Sequence, residues 1–382
     1  MRAYLDHAST SLLRPTARAA MLELLDGPGA DPGRIHVEGM TSRAMLEDAR
    51  EQVATLLGAR PREVVFTSGA TESIAAASFG AAMRVLDDES RRDQPVHVVC
   101  SAVEHSAVRD WAARTWSGRG EVTEVGVDRV GRIDAEELLA AVRPETALVH
   151  VQWGNHEVGT RQPVEQVVQR CRELGVLVHV DAAQAAGRVA IDFAALGADL
   201  LSVSAHKFGA PAGAGALLVR RGLRIPPLLV GGDQERARRA GMENVAALVG
   251  FGAAAEQVAE SLDDEAARNW AQTERIADWI DTTEGVHRFG DPEGRLPHLV
   301  CIGIDGVEPQ PVLLGLDQAG VAVHSGSSCS TESLEPSPVL AAMGVDAERS
   351  LRVSVGWSTT DDDVTRLLDS LPVVLERLRG LR

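Results

Sequence analysis

Along the first two thirds of the chain, short apolar runs alternate with helical stretches, and this alternation restricts the fold more than any other feature. Glu63–Thr67, Val96–Cys100, Ala147–Gln152, Val176–Asp181, Leu200–Ser204 and Gly215–Val219 read as strands. Helical spacing occupies Glu47–Leu57, the alanine-rich Thr71–Leu86 and residues 164–174, the last separating the strand at Ala147–Gln152 from that at Val176–Asp181. Strands that recur with intervening helices imply α/β layers around a mainly parallel sheet. From about residue 250 the texture changes. A long amphipathic helix over roughly 245–284 leads into a strand at Leu299–Ile304, a helix near 310–319, strands at Val321–His324 and Leu351–Val355, and a last helix over 361–379. The expected organisation is a large α/β domain over residues 15–250 and a smaller α+β domain formed by 1–14 and 251–382.

Several of the strands end on residues that can carry chemistry, and the carboxyl ends of strands in an open α/β sheet are where ligands bind. Thr67-Ser68-Gly69-Ala70-Thr71-Glu72-Ser73 follows a strand and opens a helix. Small residues at a helix start let backbone N–H groups approach an anion, although the same pattern also serves as an ordinary helix cap. His179-Val180-Asp181 ends one apolar strand on a carboxylate. Ser204-Ala205-His206-Lys207 ends the next, and His105 follows the strand at 96–100.

Lys207 is the only lysine in the chain; the other 37 of its 38 basic residues are arginine. Arginine replaces lysine acceptably on a surface, but a guanidinium cannot form an imine. One retained lysine at the end of an apolar strand therefore points to Schiff-base chemistry. An aspartate at the end of the preceding strand suits a pyridine nitrogen, though alone it reads more readily as a helix cap, and a histidine at the same edge suits a flat cofactor and proton transfer, though alone it reads as structural. No G-x-G-x-x-G follows the first strand, so a dinucleotide site lacks support.

The cysteines Cys100, Cys171, Cys301 and Cys329 are widely separated, with no CxxC and no zinc spacing, so no metal site is expected. Three sit in apolar runs and read as buried filler. Cys329 instead lies in Ser325-Gly326-Ser327-Ser328-Cys329-Ser330-Thr331, a small polar loop that makes a thiol accessible. Arg352, in a late strand, offers a two-pronged clamp for a carboxylate or, equally, one half of an interdomain ion pair. The balance of 38 basic against 55 acidic residues argues against nucleic-acid or anionic-membrane binding by the surface as a whole. The lack of an 18-residue apolar run and of a signal-like start leads us to expect a cytoplasmic protein with no membrane span.

These segments resemble the cysteine desulfurases, fold-type I pyridoxal-phosphate enzymes of the class V aminotransferase group. The likeness runs from Tyr4-Leu5-Asp6 to about Trp357 and includes Asn155-His156-Glu157-Val158-Gly159 and the run from Ser325 to Ser337. The latter is similar to the long-loop subgroup that feeds iron–sulfur assembly and tRNA thiolation. The resemblance implies a seven-stranded, mainly parallel sheet in the large domain and a homodimer. It implies a cofactor, pyridoxal 5'-phosphate, bound covalently by Lys207, with His105 on the ring, Asp181 at the pyridine nitrogen and Gln184 and His156 near the phenolic oxygen. It also implies a phosphate held by Ala70, Thr71, Ser204 and His206, and an L-cysteine substrate met by Arg352 and Asn155. Cys329 is then the nucleophile that accepts sulfur as a persulfide, leaves alanine and passes the sulfur to an acceptor protein.

Alternatives within this group are a selenocysteine lyase or another class V transaminase-like enzyme; outside it, a catalytically weak sulfur-transfer scaffold. The sulfur's destination stays open among iron–sulfur clusters, thiolated tRNA, DNA phosphorothioation and a natural product. Three residues depart from the family pattern. His156 stands where a second asparagine is common, Met242 where a threonine commonly reaches the neighbouring subunit's phosphate, and Asp31 where an asparagine is common. Altered cofactor affinity or ring protonation is the expected consequence.

Overall fold

The computed structural model describes residues 2–27, 29–91, 93–114, 118–325 and 336–380. Its main sheet has seven strands. In spatial order they are Val64–Thr67, Gly215–Val219, Leu200–Ser204, Val178–Asp181, Thr146–Gln152, Val96–Ser101 and Gly120–Val125. Gly215–Val219 runs antiparallel to both neighbours, and every other pairing in the sheet is parallel. The central strands are buried on both faces, which is why they read as unbroken apolar runs rather than as alternating ones. The edge strand Gly120–Val125 is mostly open and polar, so its sequence carried no such run. Helix Pro15–Asp26 was likewise not foreseen, and the helix expected at 47–57 begins ten residues earlier, at Val37–Leu56.

A second, antiparallel sheet orders His324–Ser325, Ser350–Ser354, Leu299–Ile304 and Val286–Phe289. Ala3–Tyr4 pairs in parallel with Val321–Ala322 beside it. Two principal cores result. The larger lies between the main sheet and its helices; the smaller gathers Leu5, Val300, Ile302, Leu351, Val353, Val364 and Leu367.

Helix Val245–Asp281 connects them. Ala247, Phe251, Ala254 and Val258 pack in the large core, and Ile276 and Ile280 in the small one, so residue 250 falls within one continuous helix. Its apolar stretch is long enough to cross a membrane by composition, yet it packs on helices Pro15–Asp26 and Val37–Leu56 as a core helix does. The last helix, Asp361–Arg379, begins at a Thr360/Asp363 capping box with three aspartates in its first turn and ends with Arg377 and Arg379, matching its dipole at both ends.

Candidate active site

The parallel strands deliver Thr67, Ser101, Gln152, Asp181 and Ser204 to one edge of the main sheet. A cavity of about 630 Å³ opens there. It is lined by Ala70, Thr71, His105, His156, Asp181, Gln184, Ser204, His206, Lys207 and Arg352, which is every expected site residue among the described ones except Asn155. Cys329 lies outside the described residues.

The anion end of the cavity is the start of helix Ala70–Leu86. Gly69 caps it at φ +154°, and Thr71 and the backbone of the first turn face the opening. Gly215 on the neighbouring strand lets this loop approach. A Cβ there would stand 2.5 Å from the Cα of Gly69, so a side chain at 215 would displace the loop. Glu72 fixes the loop from the other side, accepting the N–H of Ser68 at 2.9 Å and pairing with Arg239 at 2.8 Å. Ser204 and His206 stand close by. Burial, and then the Lys207 charge, push the His206 imidazole down to about 4, and its Nδ1 lies 3.1 Å from the Thr10 hydroxyl. A neutral imidazole here can donate one hydrogen bond to an anion without adding charge.

The Lys207 ammonium donates to the carbonyls of Ala8 at 2.7 Å and Ser9 at 3.0 Å. These two carbonyls belong to the N-terminal segment, whose Leu5 packs in the smaller core. Gln184 is anchored by the same segment. Its Nε2 donates to the Ala8 carbonyl at 2.8 Å, and its Oε1 lies 3.1 Å from His298 Nε2. Asp181 presents its carboxylate to the cavity, with Oδ1 accepting the N–H of Ala183 at 3.0 Å. His105 caps the next helix: its Nδ1 accepts the N–H of Ala107 at 3.1 Å. That bond assigns the ring proton of the neutral imidazole to Nε2. His156 sits edge-on to it, ring centres 5.2 Å apart.

Arg352 is buried at the cavity wall. Its Nη1 donates to the His156 carbonyl at 2.8 Å, and its Nη2 to Asp6 at 3.1 Å and Ser9 at 2.6 Å. Asp6 and Ser9 both line the cavity and were missed from the sequence. A carboxylate two residues after the short strand Ala3–Tyr4 was the available signal, but it is too common to single out. Asn155 corrects an expectation. It does not line the cavity; its Nδ2 donates to the Val103 carbonyl at 3.1 Å, and its Oδ1 accepts the N–H groups of Glu157 and Val158 at 2.8 and 2.9 Å. A fully buried amide must satisfy its polar atoms internally. Asn155 therefore builds the turn that presents His156 rather than meeting substrate.

Met242 is exposed and not part of the cavity wall. Asp31 closes a local turn, accepting the Gly33 N–H at 2.8 Å and pairing with Arg34. The remaining described cysteines are buried, as expected. Burial pushes Cys171 up to about 12 and raises Cys100 and Cys301 as well, so none of the three offers a thiolate.

The Aminotransferase class-V family pattern matches residues 3–367. The chain belongs to that family. It is 38% identical to the cysteine desulfurase IscS 1 of Archaeoglobus fulgidus over 99% of this chain and 98% of the relative. It is 39% identical to a cysteine desulfurase of Gluconacetobacter diazotrophicus over 99% and 94%. Among solved structures, a NifS-like protein superposes over the whole of both chains with TM-score 0.89 at 31% identity. A NifS-like protein from Rickettsia africae covers 98% of this chain and all of its own, with TM-score 0.86 at 27% identity.

The family uses pyridoxal phosphate, and the cavity fits it. The Gly69–Gly215 approach leaves an anion cradle that a Cβ would disturb. The amine of Lys207 and the carboxylate of Asp181 line the same space.

Proposed function

We propose that this protein is a pyridoxal-phosphate-dependent cysteine desulfurase that converts L-cysteine to L-alanine and transfers the sulfur, as a persulfide on Cys329, to an acceptor protein. The observation that carries the reading is the chain's single lysine at a strand end, sharing one cavity with Asp181, His105 and an anion-binding helix start. Ala70, Thr71, Ser204 and His206 would hold the phosphate, Lys207 the aldehyde carbon, and Asp181 the ring nitrogen. His105 would cover the ring, with Gln184 and His156 beside its oxygen. When bound, the cofactor supplies an electron sink for charge developing at the substrate α-carbon.

The chain's own residues do the rest. Arg352 receives the substrate carboxylate, which takes over part of the contact that Asp6 makes with Nη2. The Lys207 amine, on the wall of the same cavity, would be the base that moves the substrate α-proton. His105 offers Nε2, since Nδ1 is occupied by Ala107, as the atom that gives or takes a proton above the ring. The Cys329 thiolate attacks the substrate sulfur; the new S–S bond forms as the C–S bond breaks, and the three-carbon remainder takes up protons to become alanine.

A second copy of the chain completes the reading. Ile35, Val37, Met40, Val230 and Met242 are large apolar side chains left exposed on a single chain, as a homodimer surface requires.

The test is an absorbance spectrum, then alanine and sulfide assays with L-cysteine, on wild type and Cys329→Ser. We expect a cofactor band in both proteins and turnover only in the wild type. Borohydride reduction should place the cofactor on the peptide containing Lys207. A protein that cannot be loaded with pyridoxal phosphate, or one that forms no alanine, refutes the reading. Undiminished sulfide release by Cys329→Ser refutes the role of the thiol.

A further inference from the structure

Behind Asp181 lies a row of polar side chains that the proposed chemistry does not use. His150 and His179 are directly paired residues on adjacent parallel strands, and Asp181 is paired with Ser202 on the next. Residues 179 and 181 are two apart on one strand and so point to the same face. Across that face lies Ser78 of helix Ala70–Leu86. The contacts are continuous. Ser78 Oγ lies 3.2 Å from His150 Nε2, and His150 Nδ1 lies 2.9 Å from His179 Nδ1. His179 Nε2 lies 3.1 Å from Ser202 Oγ, which is 3.4 Å from Asp181 Oδ1. Both imidazoles and Ser202 are wholly inaccessible, and Ser78 and Asp181 nearly so.

We propose that Ser78, His150, His179 and Ser202 form a one-way hydrogen-bond relay that delivers a hydroxyl proton to Asp181, making His150, His179 and Ser202 positioning residues for the group that faces the cofactor's ring nitrogen. The role assigned to Asp181 rests on the proposed function; the direction of the relay does not.

The direction follows from counting protons. Burial holds His150 down to about 3 and His179 well below the usual histidine range, so each ring carries one N–H. A contact between two Nδ1 atoms at 2.9 Å needs one hydrogen, so the rings must be opposite tautomers. If His150 holds the shared proton, its Nε2 accepts from Ser78. His179 is then protonated on Nε2 and donates to Ser202, whose hydroxyl is left to donate to Asp181. If His179 holds it instead, its Nε2 accepts the only hydroxyl hydrogen of Ser202. The Ser202 oxygen then turns lone pairs toward Asp181 Oδ1, which is unfavourable for a carboxylate. The ionised carboxylate therefore selects the first arrangement through all four donors. A hydroxyl donated to the carboxylate stabilises its charge, the form that would pair with a protonated ring nitrogen opposite.

Other charged or ionisable groups surround Asp181. Glu104 lies behind it, and His105, His156, Lys207 and Arg352 stand around the cavity. None of these sets the tautomers of the histidine pair, which meet only each other and the two serines in the contacts above.

Two measurements test the relay. In the full chain carrying 15N-labelled histidine, NMR should find His150 protonated at Nδ1 and His179 at Nε2, unchanged between about pH 6 and 9. The opposite pair of tautomers, or an imidazolium at either site, overturns the proposal. This result is obtained whether or not the chain binds pyridoxal phosphate, so it fails separately from the proposed function.

In protein loaded with ring-15N cofactor, Ser202→Ala should move the ring-nitrogen resonance toward its unprotonated position. It should lower kcat about tenfold while KM changes less than about threefold, the effect of losing one hydrogen bond to a charged group. Ser202→Thr, which retains the hydroxyl, should restore both. Should Ser202→Ala not fold, Ser78→Ala at the far end of the relay tests the same link, with a smaller displacement of the resonance in the same direction expected. An unmoved ring-nitrogen resonance in a folded variant overturns the proposal.

Discussion

Replacing Glu104 by glutamine should flatten the fall in stability of this protein between mildly acid and mildly alkaline pH. Glu104 is wholly buried beside His105. Its Oε1 accepts the Ser101 hydroxyl and the Gln152 N–H, each at 2.9 Å, while Oε2 meets no hydrogen-bond partner among the described residues. Burial, reinforced by the nearby Asp181 charge, pushes its carboxyl up from an ordinary 4.5 to about 8, against the lowering effect of the two hydrogen bonds. The folded protein therefore holds a proton on Glu104 over a range where the unfolded chain has released it. Stability falls with pH wherever the native state binds more protons. The contribution is intact below pH 4.5, declines by about 1.4 kcal/mol per pH unit above it, and is fully lost above about pH 8. At pH 7 the loss reaches roughly 3 kcal/mol.

Glutamine is neutral in both states and removes this term. Its amide N–H atoms also need acceptors, at a pH-independent cost of about 1–3 kcal/mol. The diagnostic is therefore the slope and not the absolute stability. Urea unfolding of cofactor-free wild type and Glu104→Gln at about pH 5.5, 7 and 8 measures it. The wild type should lose stability relative to the variant by roughly 3 kcal/mol across this range. Parallel pH dependences in the two proteins would refute the argument that Glu104 is buried as a neutral acid.

Two other substitutions examine the cavity. Arg352→Lys keeps the charge but cannot reproduce the fork that joins Asp6, Ser9 and the His156 carbonyl; KM for L-cysteine should rise about tenfold or more, with an unchanged KM counting against a carboxylate clamp. Gly215→Ala places a methyl group against the Gly69 backbone; unfolding measurements should show a loss of about 1–3 kcal/mol, and fluorescence titration of the cofactor-free protein weaker pyridoxal-phosphate binding.

Much of the site was legible because strand ends in an open parallel sheet share one edge. Asp181, Ser204, Lys207, His105 and the loop at Gly69–Thr71 each end or follow an apolar run, so the sheet topology itself brings them together. What the N-terminal segment does was not legible. Asp6, Ala8 and Ser9 approach Lys207 and Arg352 across roughly two hundred to three hundred and fifty residues of intervening chain, and two of these groups act through backbone carbonyls that have no residue signature. Asn155 misled for a related reason: its type suits substrate binding, but only its burial shows that its amide is needed to close a turn.

By itself the sequence determined the α/β layering, the family and the lysine proposed to hold the cofactor, since hydrophobic periodicity and the absence of any other lysine are properties of the chain alone. Tertiary structure decided which polar groups are spent on one another and which remain for chemistry. It set Asp6 against Arg352, buried Glu104 near Asp181 and aligned His150 with His179. Those outcomes depend on burial and on contacts between residues far apart in sequence, where the loss of water makes an unpaired polar group costly and a paired one directional.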